Sequence, residues 1–254
     1  MRAAPSESLD CFRRTWAQKP VLRLIYDDFY ARIAACCRPG RTIEIGGGIG
    51  NLKERIKHVI STDLQPAAWL DCVADAQRLP FARACAANIV MVDVLHHLEF
   101  PLAFFRESAR VLQPGGRAIM VEPAISWGST LFYRMLHREP VRSRADALAN
   151  GSPRADRDPY ESNQAIPTII ATRQHERFHQ LLPELRIVRV EWFSFAAYPL
   201  SGGFQPWSLV TPGAARRLLA FERKLEAALG RFMGFRMMLV VEKIDASDAV
   251  HTSP

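Results

Sequence analysis

Apolar residues along the first half of the chain recur with two different periods. Between residues 20 and 37 they are spaced at about 3.6 residues, with Pro20 in the first turn, which predicts an amphipathic helix ended by Pro39 and Gly40. Residues 88–95 are almost uninterruptedly apolar, as in a parallel strand buried on both faces. Shorter runs predict further strands at RTIEIG, HVISTD, LDCVAD and RAIMVEP, and helices at NLKERI and PLAFFRESARVL.

This alternation of strands and helices over residues 1–123 predicts an α/β fold with a doubly wound parallel sheet. The second half adds a few well-marked elements. The pattern predicts a helix at TRQHERFHQLL, a strand at LRIVRVEWFSF, a helix over 213–229 and a last strand at FRMMLVVEKI.

The segment between the two halves differs in composition. Residues 138–165 are polar and rich in Arg, Pro and Asp, which is typical of a long loop or lid over a site. We therefore expect one domain over residues 1–244, with N-terminal helices at 9–37 and a substrate-covering insertion at about 124–170. The tail, 245–254, has few residues to pack and is expected to be disordered.

Composition narrows the class of protein. The five cysteines form no C-x-x-C pair and are odd in number, which favours reduced thiols and a cytoplasmic location. Since no apolar run approaches the ~18 residues of a membrane span and the N-terminus lacks a signal-peptide core, we expect neither a transmembrane segment nor secretion by that route. The net charge of +7 is compatible with binding to nucleic acid or to an anionic surface. The arginines are scattered, however, and form no basic block.

A glycine-rich loop follows the first predicted strand, in the stretch IEIGGGIGN. A dinucleotide-binding G-x-G-x-x-G would need a third glycine at position 51, which is Asn51. A tight turn alone would need a positive φ at only one or two positions. Read as acidic-x-G-x-G-x-G, the pattern is complete, with Glu44, Gly46, Gly48 and Gly50.

The strands that follow supply a context for this loop. Asp63 ends the second strand, where a carboxylate can accept both hydroxyls of a ribose, and Asp75 ends the third, in DAQRLPF. VLHHL follows the fourth strand, and RVLQPGGRAIMVEP leads into the fifth. In this order and spacing, residues 41–123 resemble the class I S-adenosylmethionine-dependent methyltransferases. They are most similar to the bacterial small-molecule group of the methyltransferase type 11 and ubiquinone-biosynthesis kind.

The resemblance implies a fold and a reaction. The fold is a Rossmann-like, doubly wound, seven-stranded sheet in three α/β/α layers, mostly parallel with an antiparallel last strand. The cofactor is S-adenosylmethionine, which leaves as S-adenosylhomocysteine after in-line displacement of its methyl group by an acceptor. The motifs indicate the cofactor. They do not identify the small-molecule acceptor, the methylated atom (O, N or C) or the oligomeric state.

The resemblance also implies roles for individual residues. The three loop glycines would admit the methionine part of the cofactor, with Glu44 near its ammonium group. Asp63 would hold the ribose, and Leu64 would pack on the adenine. The remaining contacts would be Asp75 with the adenine amino group, the Ala76 N–H with the ring, and Asp93 with the methionine end.

Catalysis by methyl transfer needs a general base only when the acceptor must lose a proton. His96 is the candidate base after the fourth strand, whereas His97 is expected to pack and to border the substrate. Further candidate substrate residues are Trp127, Tyr133 and His137. No metal site is expected, because the cysteines lack ligand spacing and adjacent histidines point to opposite sides of a strand.

Three other function classes compete with a small-molecule methyltransferase. The net charge favours an RNA methyltransferase, but no separate RNA-binding module or proline-aromatic base-methylation motif is present, so no obligate nucleic-acid partner is expected. A non-catalytic module that retains cofactor binding fits the same motifs. A dehydrogenase is the weakest alternative, because Asn51 replaces the glycine that it needs.

Overall fold

The apolar runs form strands of one seven-stranded sheet in a computed structural model that describes residues 5–130, 140–154, 156, 158 and 160–244. The strands lie in the order β3-β2-β1-β4-β5-β7-β6. Their bounds are β1 Thr42–Ile45, β2 Val59–Asp63, β3 Cys72–Val73, β4 Ala86–Val92, β5 Leu112–Pro123, β6 Leu185–Phe193 and β7 Arg236–Lys243.

Helices cover this sheet. They are α1 Pro5–Gln18, α2 Pro20–Cys36, α3 Pro101–Val111, α4 Ile166–Ala171, α5 His175–Leu181, α6 Ala197–Ser201 and α7 Pro212–Met233. Two 3-10 turns, Asn51–Glu54 and Leu95–His97, follow β1 and β4, and residues 127–130 are helical. Among the described residues, no helix is long and apolar enough to cross a membrane.

The strand pairing confirms the predicted fold class. β1 to β5 are mutually parallel, and β7 runs antiparallel to both β5 and β6. The chain order reverses between β1 and β4, because β1 is followed by β2 on one side and lies against β4 on the other. In open α/β sheets a crevice forms at the carboxyl ends of the strands at such a point, and ligands bind there.

Side chains alternate between the two faces of the sheet and produce two core layers. On one face Ile89 and Met91 pack with Phe104, Phe105 and other apolar residues of α3 to α5. On the opposite face Val90 packs in a second cluster with residues of α2 and α6, including Leu22, Ile25, Phe29, Ile33 and Ala197. The central strands are therefore covered on both sides, which explains their nearly continuous apolar sequence.

Several element boundaries differ from the sequence prediction. The segment NLKERI forms only a 3-10 turn, and the helix predicted at 172–182 is limited to His175–Leu181. β5 begins at Leu112 and includes the Pro-Gly-Gly segment that precedes the predicted strand RAIMVEP. This backbone path requires glycine at position 116, because a Cβ there would lie only 2.8 Å from the Gln113 carbonyl oxygen.

Lys19, between α1 and α2, connects the N-terminal helices to the loop after α6. Its ammonium group donates to the backbone carbonyls of Gly203, Gln205 and Trp207 at 2.6, 2.7 and 2.8 Å. The side chain is buried, and burial lowers the pKa of Lys19. Three carbonyls of an irregular loop thus depend on one cation.

Replacing this cation should destabilise the fold. We expect Lys19→Met to lower the free energy of unfolding by about 1–3 kcal/mol, because it removes the charged donor from the buried carbonyl of Gly203 and from two partly buried ones. Urea denaturation measures the change, with Lys57→Met at an exposed position as the matched control. Equal stability changes in the two variants would show that the carbonyl contacts contribute nothing.

Candidate functional site

The glycine loop after β1 contains one position that faces open space. Gly46, Gly48 and Gly50 all have left-handed backbones, with φ of 67°, 48° and 76°. A Cβ on Gly46 would lie 2.2 Å from Val94 Cγ2, and one on Gly50 would lie 3.0 Å from Trp69 Cδ1. A Cβ on Gly48 would meet nothing closer than 3.9 Å. A side chain at position 46 would therefore overlap Val94, and one at position 50 would crowd Trp69. The backbone at Gly48 is open to a ligand.

Glu44 lies behind this loop, buried on β1. It accepts a hydrogen bond from the Ser61 hydroxyl, and its own backbone carbonyl accepts one from Thr62 at 2.9 Å. Burial raises the pKa of Glu44 to about 7, although the hydrogen bond from Ser61 opposes this shift. The predicted role beside an ammonium group remains a prediction, and a cation there would favour the carboxylate.

Asp63, at the end of β2, lies beside the open glycine. One carboxylate oxygen accepts the N–H of Gly48 at 3.0 Å, and the other accepts the N–H of Gln65 at 3.0 Å. The carboxylate therefore fixes the glycine loop against the loop after β2. Leu64, between them, is half exposed, as expected of a side chain available to an adenine ring.

The loop after β3 carries the other predicted nucleoside contacts. Asp75 accepts the N–H of Gln77 at 2.8 Å, and its carbonyl accepts the N–H of Arg78 at 3.0 Å. Ala76 is buried in the core next to this turn. The structure thus gives Asp75 a role in shaping the loop, and its contact with the adenine amino group stays a prediction.

Asp93 ends β4 in a left-handed conformation, with φ of 60°. Its carboxylate accepts from Arg236 at 2.5 Å and from the Tyr26 hydroxyl at 3.4 Å. Arg236 is only 1% exposed and lies over the rings of Phe29 and Tyr198, at 5.2 and 4.6 Å from their centroids. Burial, followed by the Asp93 charge, raises the pKa of Tyr26, which keeps this hydroxyl protonated as a donor.

The candidate base His96 has a different environment from the predicted one. Its side chain is 3% exposed, and its Nδ1 lies 2.6 Å from Glu122 Oε2. Glu122 also accepts the N–H groups of Val94 and Leu95 at 2.9 and 2.8 Å. With Nδ1 bonded to Glu122, only Nε2 could take a proton from an acceptor, and the 3% exposure of the ring closes it to an acceptor in this conformation. In the observed conformation it holds the turn after β4.

Two of the other predicted substrate residues, His97 and Trp127, belong to the described part of the chain. His97 lies beside His96, with ring centroids 4.1 Å apart, and is partly buried. Trp127 is 86% exposed and borders a groove with residues of α7. Tyr133 and His137 lie outside the described residues. Of the two described candidates, only Trp127 lines this groove, and His97 does not.

The polar insertion contacts both sides of the cleft. Asn163 donates its backbone N–H to the carbonyl of His96 at 2.9 Å, next to the turn after β4. On the opposite side the Gln65 amide donates to the Tyr160 hydroxyl at 2.9 Å. These bonds connect the segment after residue 160 to the β4 side and to the β2 side, and thus favour its predicted role as a cover.

Several residues at the cleft escaped the sequence analysis. Arg236 was detectable as a lone charge at the start of an apolar strand, but its partner Asp93 is 143 positions away. Trp69 donates its indole N–H to the Gly48 carbonyl at 2.8 Å and is covered by the Arg13 guanidinium at 4.1 Å. No motif marks Trp69, because only the fold brings it to the loop.

Asp93, His96 and Glu122 have ligand atoms within 4.8 Å of one another, a spacing that could accommodate a metal ion. These atoms already have partners, since Asp93 pairs with Arg236 and His96 with Glu122. An ion would have to break both pairs. The cluster is thus accounted for by its own hydrogen bonds.

The glycines of the loop should differ in their tolerance of a methyl group. We expect Gly46→Ala to lower the free energy of unfolding by more than about 2 kcal/mol, because the methyl group would overlap Val94. Gly48→Ala should cost only the left-handed strain of about 1 kcal/mol. Denaturant unfolding of both variants measures the difference, and Val94→Ala should partly rescue Gly46→Ala. Equal losses would contradict the assignment of Gly48 as the open position.

The raised pKa of Glu44 makes stability depend on pH. The folded state binds the proton up to about pH 7, whereas an unfolded glutamate releases it near pH 4.3, so the contribution of Glu44 falls between these values as pH rises. We expect the stability of Glu44→Gln relative to the parent to increase by about 3 kcal/mol from pH 4.5 to 7.5. Urea unfolding across this range tests it, and a constant difference between the two proteins would refute it.

The chain is similar to known methyltransferases over its first half. Residues 43–120, less than a third of the chain, match the family described as "Methyltransferase domain". The malonyl-[acyl-carrier protein] O-methyltransferase of Hahella chejuensis is 32% identical over 99 residues, which are 32% of this chain and 36% of that protein. The chain therefore spans little more than a third of this curated relative.

A solved structure shares the fold over most of the chain. A S-adenosylmethionine-dependent methyltransferase of Thermotoga maritima is 14% identical, with a TM-score of 0.53 over 88% of this chain and 91% of that one. Another, from Archaeoglobus fulgidus, is 14% identical, with a TM-score of 0.49 over 85% and 93%. Residues 43–120 thus match a methyltransferase domain family, and the mostly parallel seven-stranded sheet is the fold that the resemblance to class I S-adenosylmethionine-dependent methyltransferases implied.

Proposed function

We propose that this protein transfers a methyl group from S-adenosylmethionine to a small-molecule acceptor, in the cytoplasm and as one domain over residues 1–244. One observation carries the proposal. The open backbone of Gly48 follows β1, where the strand order reverses, and it lies beside Asp63. Asp93 follows β4, the neighbouring strand on the other side of β1. The domain family and the fold agree with this chemistry.

The residues present fit the cofactor. The space beside Gly48 suits the methionine backbone. Asp63 can bind the ribose hydroxyls when they replace the backbone N–H groups that it now accepts. Leu64 offers an exposed apolar surface to the adenine, and Asp93 offers a carboxylate held by Arg236. When bound, S-adenosylmethionine supplies an electrophilic methyl group on a good leaving group.

The protein's own contribution is chiefly positioning and exclusion of water. The insertion connects the two sides of the cleft through Asn163 and Tyr160, and so can shield the reacting atoms. Arg236 and Tyr26 fix the orientation of Asp93 at the methionine end. The pair formed by His96 and Glu122 holds the turn that borders this end.

The burial of the His96 side chain limits the class of acceptor that the site can methylate. Because the His96 side chain is only 3% exposed, an acceptor that is nucleophilic without losing a proton suits the observed conformation better than one that must first be deprotonated. A carboxylate meets this requirement, and the Hahella relative is itself named as an O-methyltransferase of a malonyl group. We therefore favour an anionic oxygen acceptor over an RNA base.

Cofactor binding is tested by titration calorimetry with S-adenosylhomocysteine. The parent protein should bind it and should melt at a higher temperature in its presence. Asp63→Ala should weaken binding by at least ~1 kcal/mol, about fivefold in Kd, since it removes a charged acceptor. Asp27→Asn, a carboxylate paired with Arg55 outside the cleft, is the matched control and should bind normally.

Because Asp63 also holds Gly48, the melting temperature of each variant without ligand must be compared first. Binding of NADH with no binding of S-adenosylhomocysteine would overturn the proposal. Acceptor choice is tested separately, by mass spectrometry of carboxylate-containing pools incubated with S-adenosylmethionine. A methylated carboxylate supports the favoured class, and a methylated RNA in its place refutes it.

A further inference from the structure

The outward surface of α7 repeats basic and aromatic side chains at helical spacing. Arg217, Phe221, Lys224, Ala228 and Arg231 follow one another at intervals of three or four positions, Phe232 lies four positions after Ala228, and all six are exposed. We name these six residues the outer face of α7. Phe221 and Phe232 are 58% and 57% exposed, although large apolar side chains are usually covered in a folded protein.

The acidic residues of α7 point to the protein instead. Glu222 is buried and accepts the N–H groups of Ala196 and Ala197 at 2.6 and 2.8 Å. Glu226 accepts both terminal nitrogens of Arg32, at 2.9 and 2.7 Å. The carboxylates of the helix are thus directed inward and Arg217, Lys224 and Arg231 outward, whereas Arg223 pairs with Asp28 on α2. Within the described ranges, no carboxylate pairs with Arg217, Lys224 or Arg231.

Apolar surface continues beyond the end of α7. Met233 is exposed, and a Cβ on Gly128 would lie 3.3 Å from its Cα, so the segment after β5 lies against the end of the helix. Trp127 belongs to this segment and is 86% exposed. Between Trp127 and Phe232 lies a groove of about 510 Å³ that is also lined by Arg231.

We propose that the outer face of α7, together with Trp127 and Met233, binds the surface of a membrane that contains anionic phospholipid. Three aromatic side chains, a methionine and unpaired cations on one face are the features of a helix that lies in the membrane interface. The aromatic and apolar groups would enter the headgroup region, while the long basic side chains reach the phosphates. An acidic protein would match the cations, but it would not require such widely exposed aromatic rings.

This inference is independent of the proposed reaction, but it has a consequence for it. The groove beside Trp127 starts at Ile125, directly after the carboxyl end of β5. A protein docked through the outer face of α7 would hold this groove at the lipid surface. An amphiphilic molecule could then approach the cleft from the membrane.

Vesicle sedimentation with the full chain tests the proposal. The protein should sediment with vesicles of phosphatidylglycerol and phosphatidylcholine, and not with phosphatidylcholine alone. Added salt should release it, because surface charge attraction is screened. Each basic residue near an anionic surface changes the partition about fivefold, so Arg217→Glu combined with Lys224→Glu should reduce it more than ~20-fold. Phe221→Ser combined with Phe232→Ser should abolish sedimentation with the anionic vesicles, because it removes the side chains that enter the headgroup region.

The controls match these changes at exposed positions on other elements. Arg41→Glu combined with Lys57→Glu carries the same charge change, and Leu209→Ser removes another exposed apolar side chain. Both controls should sediment like the parent, and every variant should keep the parent's melting temperature and S-adenosylhomocysteine affinity.

Three results would overturn the proposal. The first is no sedimentation of the parent with anionic vesicles. The second is equal loss of sedimentation in the controls, which would make the effect one of net charge. The third is a dimer in sedimentation velocity that dissociates in the Phe221 and Phe232 variant and does not bind vesicles, which would make this face a contact between two copies.

Discussion

The Asp63 carboxylate joins the two loops on which the cofactor side of the cleft depends. It receives the N–H of Gly48 through one oxygen and the N–H of Gln65 through the other. Gln65 in turn donates its amide to Tyr160 in the insertion. A single acidic residue at the end of β2 therefore connects the glycine loop, the loop after β2 and the cover of the site. Its partner Gly48 follows β1, one of the two strands between which the strand order reverses and the fold opens a crevice.

Local patterns in the sequence predicted much of this arrangement. The buried run at 88–95, the acidic-x-G-x-G-x-G loop and the acid ending β2 each depend on a few neighbouring residues, and they placed β1, β2 and β4 correctly. The prediction that Asp75 ends the third strand was wrong, because β3 already ends at Val73. The distinction among the glycines was not predictable in this way. Gly46 is constrained by Val94 and Gly50 by Trp69, and both neighbours approach only through the fold.

Long-range pairs account for the rest of the difference between sequence and structure. Asp93 was predicted at the methionine end, but its partner Arg236 comes from the last strand. His96 was predicted as a base because it follows β4, and the acid that buries it, Glu122, comes from β5. A sequence pattern identifies a titratable group, whereas the group's environment is set by strands that become neighbours only in the sheet. The same holds for α7, whose inward and outward charges are distinguished by Arg32 and by two N–H groups near α6.

The most direct test of the central claim is a crystal structure of the chain grown with S-adenosylhomocysteine. We expect the homocysteine backbone beside Gly48, the ribose hydroxyls on Asp63 and the sulfur nearest Asp93. In that structure the Asp63 carboxylate should exchange at least one of its present backbone partners for a ribose hydroxyl. A ligand bound elsewhere on the chain, or a crevice left empty at saturating S-adenosylhomocysteine, would contradict the account.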